Sequence, residues 1–176
     1  AYAVNATTGA LTPVAGSPFA AYDGPSSVAV DPSGKFVYVA HYWSGVAAYT
    51  VDAATGALTP VAGSPFAPDD ASGSLAVDPS GKFVYLAISE YVAAFAVDTA
   101  TGSLTEIADS PFATGGDSSH CVAVDPTGKF AYVTNSGSSI SAFSISSSTG
   151  ALTAIAGSPF IAGDFVQAIA VCRIAQ

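Results

Sequence analysis

The chain has 176 residues, of which 50% are hydrophobic and 10% are charged, and its formal net charge at pH 7 is −9. Lys and Arg together number only 4, and contacts with nucleic-acid phosphates need clusters of these residues, so nucleic acid is excluded as a partner. No apolar run reaches the roughly 18 residues of a membrane-spanning helix, so we expect no membrane span.

Two short apolar runs open the chain, at Ala1–Val4 ("AYAV") and Leu11–Ala15, with a "TG" turn at Gly9 between them. The first run matches the later segment 47–51 ("AAYTV"), and the second is followed by "SPF", which also recurs. We interpret residues 1–19 as two outer strands of an incomplete unit.

A complete unit follows and is then repeated. The stretch "AVDPSGKFVYVA" begins at Ala29 and returns with few changes at Ala76 and Ala123, about 47 residues apart each time. In its first copy the unit holds β-branched and aromatic runs separated by Gly, Asp and Pro turn signals, and helical periodicity is absent. These runs are Val28–Val30, Phe36–Ala40, Val46–Val51 and Leu58–Ala62.

Four short strands in a unit of this period are typical of a blade of a β-propeller. The sequence therefore predicts an all-β propeller with antiparallel four-stranded blades, forming one domain over residues 1–176. Full blades are expected at residues 28–66, 75–112 and 122–160. The end of the chain matches a first strand, so residues 168–176 are expected to be the inner strand of a partial blade.

The segment Tyr132–Asn135 ("YVTN"), together with the recurring "SPF" and "TGAL", resembles the lactonase-type propellers. This family includes 6-phosphogluconolactonases and YVTN surface-layer repeats. The resemblance covers essentially the whole chain and implies a seven-bladed ring, of which the chain would form about half. Because a half-ring leaves sheet faces bare, we expect a homodimer closed as an eight-bladed ring, with a four-bladed monomer as the alternative.

Strand alternation sorts the loops onto two faces. The repeated "DPSGK" and "TGAL" turns share one face with all three lysines, whereas the loops that differ between units share the other face. We call the second one the variable face. Its loops are residues 20–26, 41–45, 67–73, 88–91, 113–120, 135–139 and 161–167.

An aspartate stands five residues before each inner strand on the variable face. These residues are Asp23, Asp70, Asp117 and Asp164. Either each one bonds its own loop backbone and was copied with the repeat, or together they ring the channel mouth and bind a divalent cation such as Zn, Mn or Ca.

Both histidines lie on the variable face and neither recurs in the other units. His41 ends a second strand, and His120 lies three residues after Asp117. An imidazole beside carboxylates can help to hold a metal ion that activates water, so catalytic roles are predicted for His41, His120 and Asp117, with His120 also a metal ligand. The alternative is that each histidine is an unpartnered surface residue.

Aromatic residues accompany this polar cluster and are predicted to bind substrate. Tyr42 and Trp43 follow His41, and Glu90 and Tyr91 share one loop. Such side chains can form the apolar wall of a small-molecule pocket, although packing over the blade tops would explain them equally well.

These features predict a metal-dependent hydrolase, and the resemblance implies lactone substrates. Because the variable face lacks basic residues, neutral lactones, aryl esters or phosphotriesters are favoured over phosphorylated sugars. The alternative is a non-catalytic binding or cell-surface propeller. The low Lys content with abundant Ala, Ser, Thr and Gly suggests an extracytoplasmic bacterial protein.

Overall fold

The computed structural model describes residues 1–66 and 73–172 and is built from short β-strands. Within these two ranges no helix is long and apolar enough to cross a membrane. The strands are β1 (Tyr2–Val4), β2 (Leu11–Pro13), β3 (Pro25–Val30), β4 (Phe36–His41), β5 (Gly45–Val51), β6 (Leu58–Pro60), β7 (Leu75–Val77), β8 (Phe83–Ile88), β9 (Tyr91–Val97), β10 (Leu104–Glu106), β11 (Phe112–Ala113), β12 (Ser119–Val124), β13 (Phe130–Asn135), β14 (Ser139–Ile145), β15 (Leu152–Ala154) and β16 (Phe160–Ile161).

Three antiparallel sheets form, each with its strands in chain order. Blade 1 is β3–β4–β5–β6, blade 2 is β7–β8–β9–β10, and blade 3 is β12–β13–β14–β15. The remaining pair, β1 and β2, forms a separate antiparallel hairpin, which we call the N-terminal hairpin. The predicted all-β propeller with four-stranded blades is confirmed.

The aspartate of "DPSGK" explains why the first turn of each blade is copied so closely. In blade 1 the Asp31 carboxylate accepts hydrogen bonds from the Phe36 amide at 2.7 Å, from the Ser33 amide at 3.0 Å and from the Ser33 hydroxyl. Burial alone would raise the pKa of Asp31, but these hydrogen bonds hold it below its ordinary value. Equivalent bonds are made by Asp78 and Asp125.

The "SPF" triplet has a structural role that the sequence did not reveal. After β10 and β15 the outer strand breaks at a cis Ser-Pro peptide, and the short strands β11 and β16 resume pairing with β9 and β14. At each break one N–H of the third strand no longer pairs with the outer strand. This N–H donates a hydrogen bond to the serine hydroxyl instead. These bonds are Ala48 to Ser64 at 3.0 Å, Ala94 to Ser110 at 3.0 Å and Ala142 to Ser158 at 2.9 Å.

Neighbouring blades pack face to face through two apolar clusters, one between blades 1 and 2 and one between blades 2 and 3. In each contact a phenylalanine from the second strand of one blade lies against the "TG" glycine of the next blade, as Phe36 does at Gly102. A tyrosine two residues further on donates its hydroxyl to the carbonyl of the same glycine, as Tyr38 does at 3.2 Å.

The expected inner strand at 168–176 is described only as far as Cys172, and residues 168–172 are not assigned to a strand. Ile169 and Val171 are half-buried and alternate with exposed neighbours, which is the exposure pattern of a strand on a packed face. No second strand of this chain follows within the described residues to supply a hydrogen-bonding partner, so the expected strand stays a prediction.

Candidate functional site

A polar cavity of about 440 Å³ opens where the inner strands begin, on the variable face. We call it the channel-mouth cavity. It is lined by Ser26, Ser27, Tyr42, Gly73, Ser74, His120 and Gln167. Four of these residues, at positions 26, 73, 120 and 167, occupy the same place in successive units, so the repeat itself builds the wall.

Hydrogen bonds join adjacent inner strands around this wall. The Ser26 hydroxyl donates to the Gly73 carbonyl at 2.9 Å, and the Ser74 amide donates to the His120 carbonyl at 3.1 Å. The Cys121 thiol also contacts the Ser74 hydroxyl at 3.7 Å. Since these contacts run from blade 1 to blade 2 and from blade 2 to blade 3, they fix the spacing of the lining residues.

His120 is the histidine that lines the cavity. Its Nε2 lies 2.6 Å from the Ser136 hydroxyl oxygen, and that hydroxyl lies 3.2 Å from the Ser118 carbonyl. The Ser136 hydroxyl can donate either to Nε2 or to the Ser118 carbonyl, so this contact fits both neutral tautomers of His120. His120 is exposed, so water reaches it.

The structure describes three of the four periodic aspartates, and Asp70 lies outside the described residues. Asp23 is exposed. Asp164 accepts a hydrogen bond from the Ser138 hydroxyl at 3.3 Å, and an Asp117 carboxylate oxygen lies 2.6 Å from the position of a Cβ on Gly137. Asp117 and Asp164 therefore both lie against the β13–β14 turn.

These carboxylates do not converge with a third ligand in the described structure. Over residues 1–66 and 73–172, no group of three or more His, Cys, Asp or Glu side chains is arranged to hold a metal ion. The described residues thus do not fit the expected divalent cation, and we derive no reaction step through it. Its presence stays a prediction.

His41 is not brought to the channel-mouth cavity. Its side chain is fully buried, and the Tyr22 ring packs edge-on against it with the ring centroids 5.7 Å apart. Among the described residues neither imidazole nitrogen makes a hydrogen bond of good geometry, and burial lowers the pKa of His41 against the opposing effect of the Gly45 and Val39 backbone, which favours the neutral ring. The structure therefore separates the two histidines that the sequence analysis considered together.

Of the predicted substrate-binding residues, Tyr42 lines the cavity. Trp43 is largely exposed, and its ring lies 5.9 Å from that of Tyr42 and packs on Gly24. Glu90 and Tyr91 lie at the β8–β9 turn, outside the cavity lining, with the Glu90 carbonyl accepting the Thr114 amide.

Sequence reasoning missed Ser136 and the serines of the cavity wall. Of the wall serines, Ser26 was detectable as the residue that replaces His120 in blade 1, whereas Ser27 and Ser74 stand at the position of Cys121. Ser136 offered no such signal, because its contact with His120 depends on how the β13–β14 turn folds back over β12.

The fold defines the class of protein as a β-propeller. A family model described as "Lactonase, 7-bladed beta-propeller" matches residues 1–164, and the chain belongs to this family. No curated protein matches it.

Solved structures of candidate 6-phosphogluconolactonases superpose on the chain. The one from Bacteroides fragilis does so with a TM-score of 0.79 and 26% identity, covering 94% of this chain and 49% of its own. The one from Bacteroides uniformis gives 0.76 and 21%, covering 93% and 48%. A Lactobacillus plantarum protein gives 0.74 and 23%, covering 92% and 49%. The chain thus spans about half the length of these relatives.

Proposed function

We propose that the chain hydrolyses lactones in the channel-mouth cavity and that His120 is the general base. Family membership supports the reaction class. The observation that carries the proposal is the placement of His120, because it is the one titratable residue among the four repeat-equivalent positions of the cavity wall. Its contact with Ser136 holds the imidazole in place.

The chemistry needs a neutral imidazole and one water molecule. The free ring nitrogen of His120 takes a proton from water as the water oxygen bonds to the lactone carbonyl carbon. The resulting tetrahedral intermediate collapses by breaking the bond between that carbon and the ring oxygen. The imidazolium returns its proton to the leaving oxygen, so the product is an open-chain hydroxy acid and His120 is regenerated.

Charge favours a neutral lactone over a phosphorylated one. The cavity lining contains no Lys or Arg among the described residues, and Lys35, Lys82 and Lys129 lie in or beside the hairpin turns at the opposite ends of the strands. A net charge of −9 repels anions further. We therefore propose neutral sugar lactones as the substrate class.

The test is the hydrolysis of a neutral lactone, measured as acid release at a rate above that without enzyme. His120→Gln removes the base while keeping a polar side chain that the repeat already carries at position 167. We expect kcat to fall by roughly 10²- to 10⁴-fold. His41→Ile is the matched control, since Ile88 occupies the equivalent place in blade 2, and it should keep full activity. Full activity of His120→Gln contradicts the assignment.

A metal-dependent route is the second form of this proposal. The sequence predicts that Asp23, Asp70, Asp117 and Asp164 hold a divalent cation with His120, whereas the described members of this set do not converge on one ligand group. Chelation followed by metal readdition separates the two forms: loss and recovery of turnover supports the ion, and unchanged turnover supports His120 acting alone.

A binding module without catalysis is the second candidate function. The exposed, adjacent rings of Tyr42 and Trp43 favour it, because such a surface stacks on flat apolar or sugar rings. Trp43 is the only tryptophan of the chain, so its fluorescence reports binding there directly. Saturable quenching by a sugar or lactone without any turnover would select this function.

A further inference from the structure

His120, which lines the channel-mouth cavity, is hydrogen-bonded to a serine of the β13–β14 turn. Its Nε2 lies 2.6 Å from the Oγ of Ser136. Both side chains are exposed, so water and small molecules reach them. A serine hydroxyl within hydrogen-bond reach of an imidazole is the arrangement that converts a weak nucleophile into a reactive one.

The backbone directs these two side chains toward each other. The pairing of β12 with β13 shifts by one residue between Ser119 and Cys121, so His120 is the extra residue of a β-bulge. A bulge re-aims the side chain that it carries, and bulges are frequent next to active sites. The Ser136 amide donates to the Ser118 carbonyl at 2.9 Å and so holds the turn against the start of β12.

Blade 1 shows that the position of Ser136 borders the cavity. Its Ser26 corresponds to His120 and is the extra residue of an equivalent bulge. Its Tyr42 corresponds to Ser136, because the Tyr42 amide makes the same bond, to the Gly24 carbonyl at 2.9 Å. Both Ser26 and Tyr42 line the cavity, so the repeat turns these two positions toward the channel mouth.

The Ser136 proton has two acceptors, and the distances favour the imidazole. A hydrogen bond donated by a hydroxyl spans about 2.5–3.0 Å, and one donated by a nitrogen spans about 2.7–3.2 Å. The 2.6 Å between Oγ and Nε2 lies in the first range only, whereas the Ser118 carbonyl is 3.2 Å from the hydroxyl. Of the two neutral tautomers of His120, the one with its hydrogen on Nδ1 is therefore favoured, and in it Nε2 is the base that faces Ser136.

We propose that Ser136 is a nucleophile with His120 as its base, and that lactones are opened through an ester of Ser136. This inference rests on the proposed function for its substrate, and it inserts a covalent step before water reacts. His120 still acts on water, but the carbonyl carbon that the water attacks belongs to the ester of Ser136.

The two steps balance without any further reactant. In the first, the Ser136 oxygen bonds to the lactone carbonyl carbon as its proton moves to Nε2 of His120. The bond between that carbon and the ring oxygen then breaks, and the ring oxygen takes the proton from the imidazolium. In the second, Nε2 takes a proton from water as the water oxygen bonds to the ester carbon. The Ser136 oxygen leaves with that proton, which releases the hydroxy acid.

The residue after Ser136 offers a donor for the negative charge of the tetrahedral intermediate. In the described part of the chain the Gly137 amide donates to no acceptor. A main-chain N–H next to the nucleophile can bind the oxygen on which this charge develops.

A fluorophosphonate tests the pair without any assumption about the natural substrate. The Ser136 oxygen bonds to phosphorus as fluoride leaves and the proton passes to His120, so the label stays on the chain. Mass spectrometry of the peptides should find the label at Ser136. In His120→Gln the labelling should be slower by roughly 10²-fold or more.

Ser89 is the matched control in the same experiment. It is exposed and occupies the place of Ser136 in blade 2, but Gly73 stands where blade 3 has His120. Ser89 should therefore stay unlabelled. Ser136→Ala should abolish the label and lower kcat for a neutral lactone by roughly 10²-fold or more, whereas Ser89→Ala should keep both. Circular dichroism verifies that each variant is folded.

The outcomes separate this inference from the proposed function. Labelling of Ser136 without lactone turnover supports the pair and contradicts the proposed function. Turnover that is lost in His120→Gln but kept in Ser136→Ala overturns the pair and leaves water as the direct nucleophile. A wild type without a label at Ser136, or with equal labelling of Ser89, also overturns it.

Discussion

The Tyr85 hydroxyl in blade 2 donates a hydrogen bond to the Gly150 carbonyl in blade 3 across 2.9 Å. Tyr85 is fully buried, and burial, with a smaller contribution from Asp78, raises the pKa of its phenol far above the ordinary value. The hydroxyl thus stays protonated and remains a donor at any pH at which the fold survives. This bond helps to fix the register of two faces that otherwise pack here through apolar side chains.

Tyr85→Phe should lower the free energy of unfolding by about 1–3 kcal/mol, because it leaves the Gly150 carbonyl buried without this donor. Tyr2→Phe is the control: Tyr2 is exposed, and its equivalents Phe95 and Phe143 already lack the hydroxyl. It should change stability by less than about 0.5 kcal/mol. Urea unfolding at pH 7 measures both, and equal effects would show that the Tyr85 bond contributes nothing.

Asp31→Asn should destabilise the protein by about 1.5–3 kcal/mol at pH 7, since it replaces a charged acceptor that serves two backbone amides and a hydroxyl. The pKa of Asp31 is lower in the folded state than its ordinary 3.8. The stabilisation that the Asp31 carboxylate provides is therefore fully present above pH 3.8. It is lost as the pH falls through the pKa of Asp31 in the folded state.

The difference in stability between wild type and Asp31→Asn should accordingly shrink in acid. Chemical unfolding from pH 7 down to pH 3 measures this trend. Asp23→Asn, at an exposed aspartate of the variable face, should change stability by less than about 0.5 kcal/mol at pH 7. A difference that is constant with pH would mean that the Asp31 carboxylate is not the stabilising group.

The repeat made the blades, their turns and the opposite placement of the lysines predictable, because period and turn chemistry are local properties of the sequence. The break in the outer strand was not predictable in this way. Ser110 and Phe112 look like loop residues, and only the pairing of β11 with β9 shows that the chain returns to the sheet.

The candidate site was also predictable only where the repeat decides the position of a residue. The repeat register correctly placed Ser26, Gly73, His120 and Gln167 at equivalent positions, and the structure brings them to one cavity. It could not tell that His41 turns into the blade while His120 faces solvent. That outcome depends on what packs over each strand end, which for His41 is Tyr22 from the loop that leads into β3.

Ser110→Ala should cost about 1–3 kcal/mol, because the Ala94 amide loses the hydroxyl that accepts it at 3.0 Å where β10 ends. Ser158→Ala should cost a similar amount in blade 3, where the Ala142 amide makes the same bond at 2.9 Å. Ser147→Ala, at an exposed turn serine, is the control. Thermal unfolding measures the stability of the three variants. An equal loss of stability in all three would contradict a specific role for the "SPF" serine.

His41→Ile should stabilise the protein by about 1–3 kcal/mol at pH 7, because it removes two buried nitrogens that make no hydrogen bond of good geometry to the described residues. Blade 2 already carries Ile88 at this place, so the side chain fits the fold. His41→Asn is the informative contrast. Asn135 at the third equivalent position donates to Ser139 and Ser141, but blade 1 has Gly45 and Ala47 there, so asparagine should not stabilise.

The pH dependence separates this effect from simple repacking. Burial lowers the pKa of His41 below its ordinary value of 6.5. As the pH falls below 6.5, His41 therefore binds a proton more readily in the unfolded chain than in the folded chain. Wild-type stability should therefore decline as the pH falls from about 6.5, and His41→Ile should remove that part of the decline. Its advantage over the wild type must then grow between pH 7 and pH 5. An advantage that stays constant over this range would show that His41 is not held neutral in the folded protein.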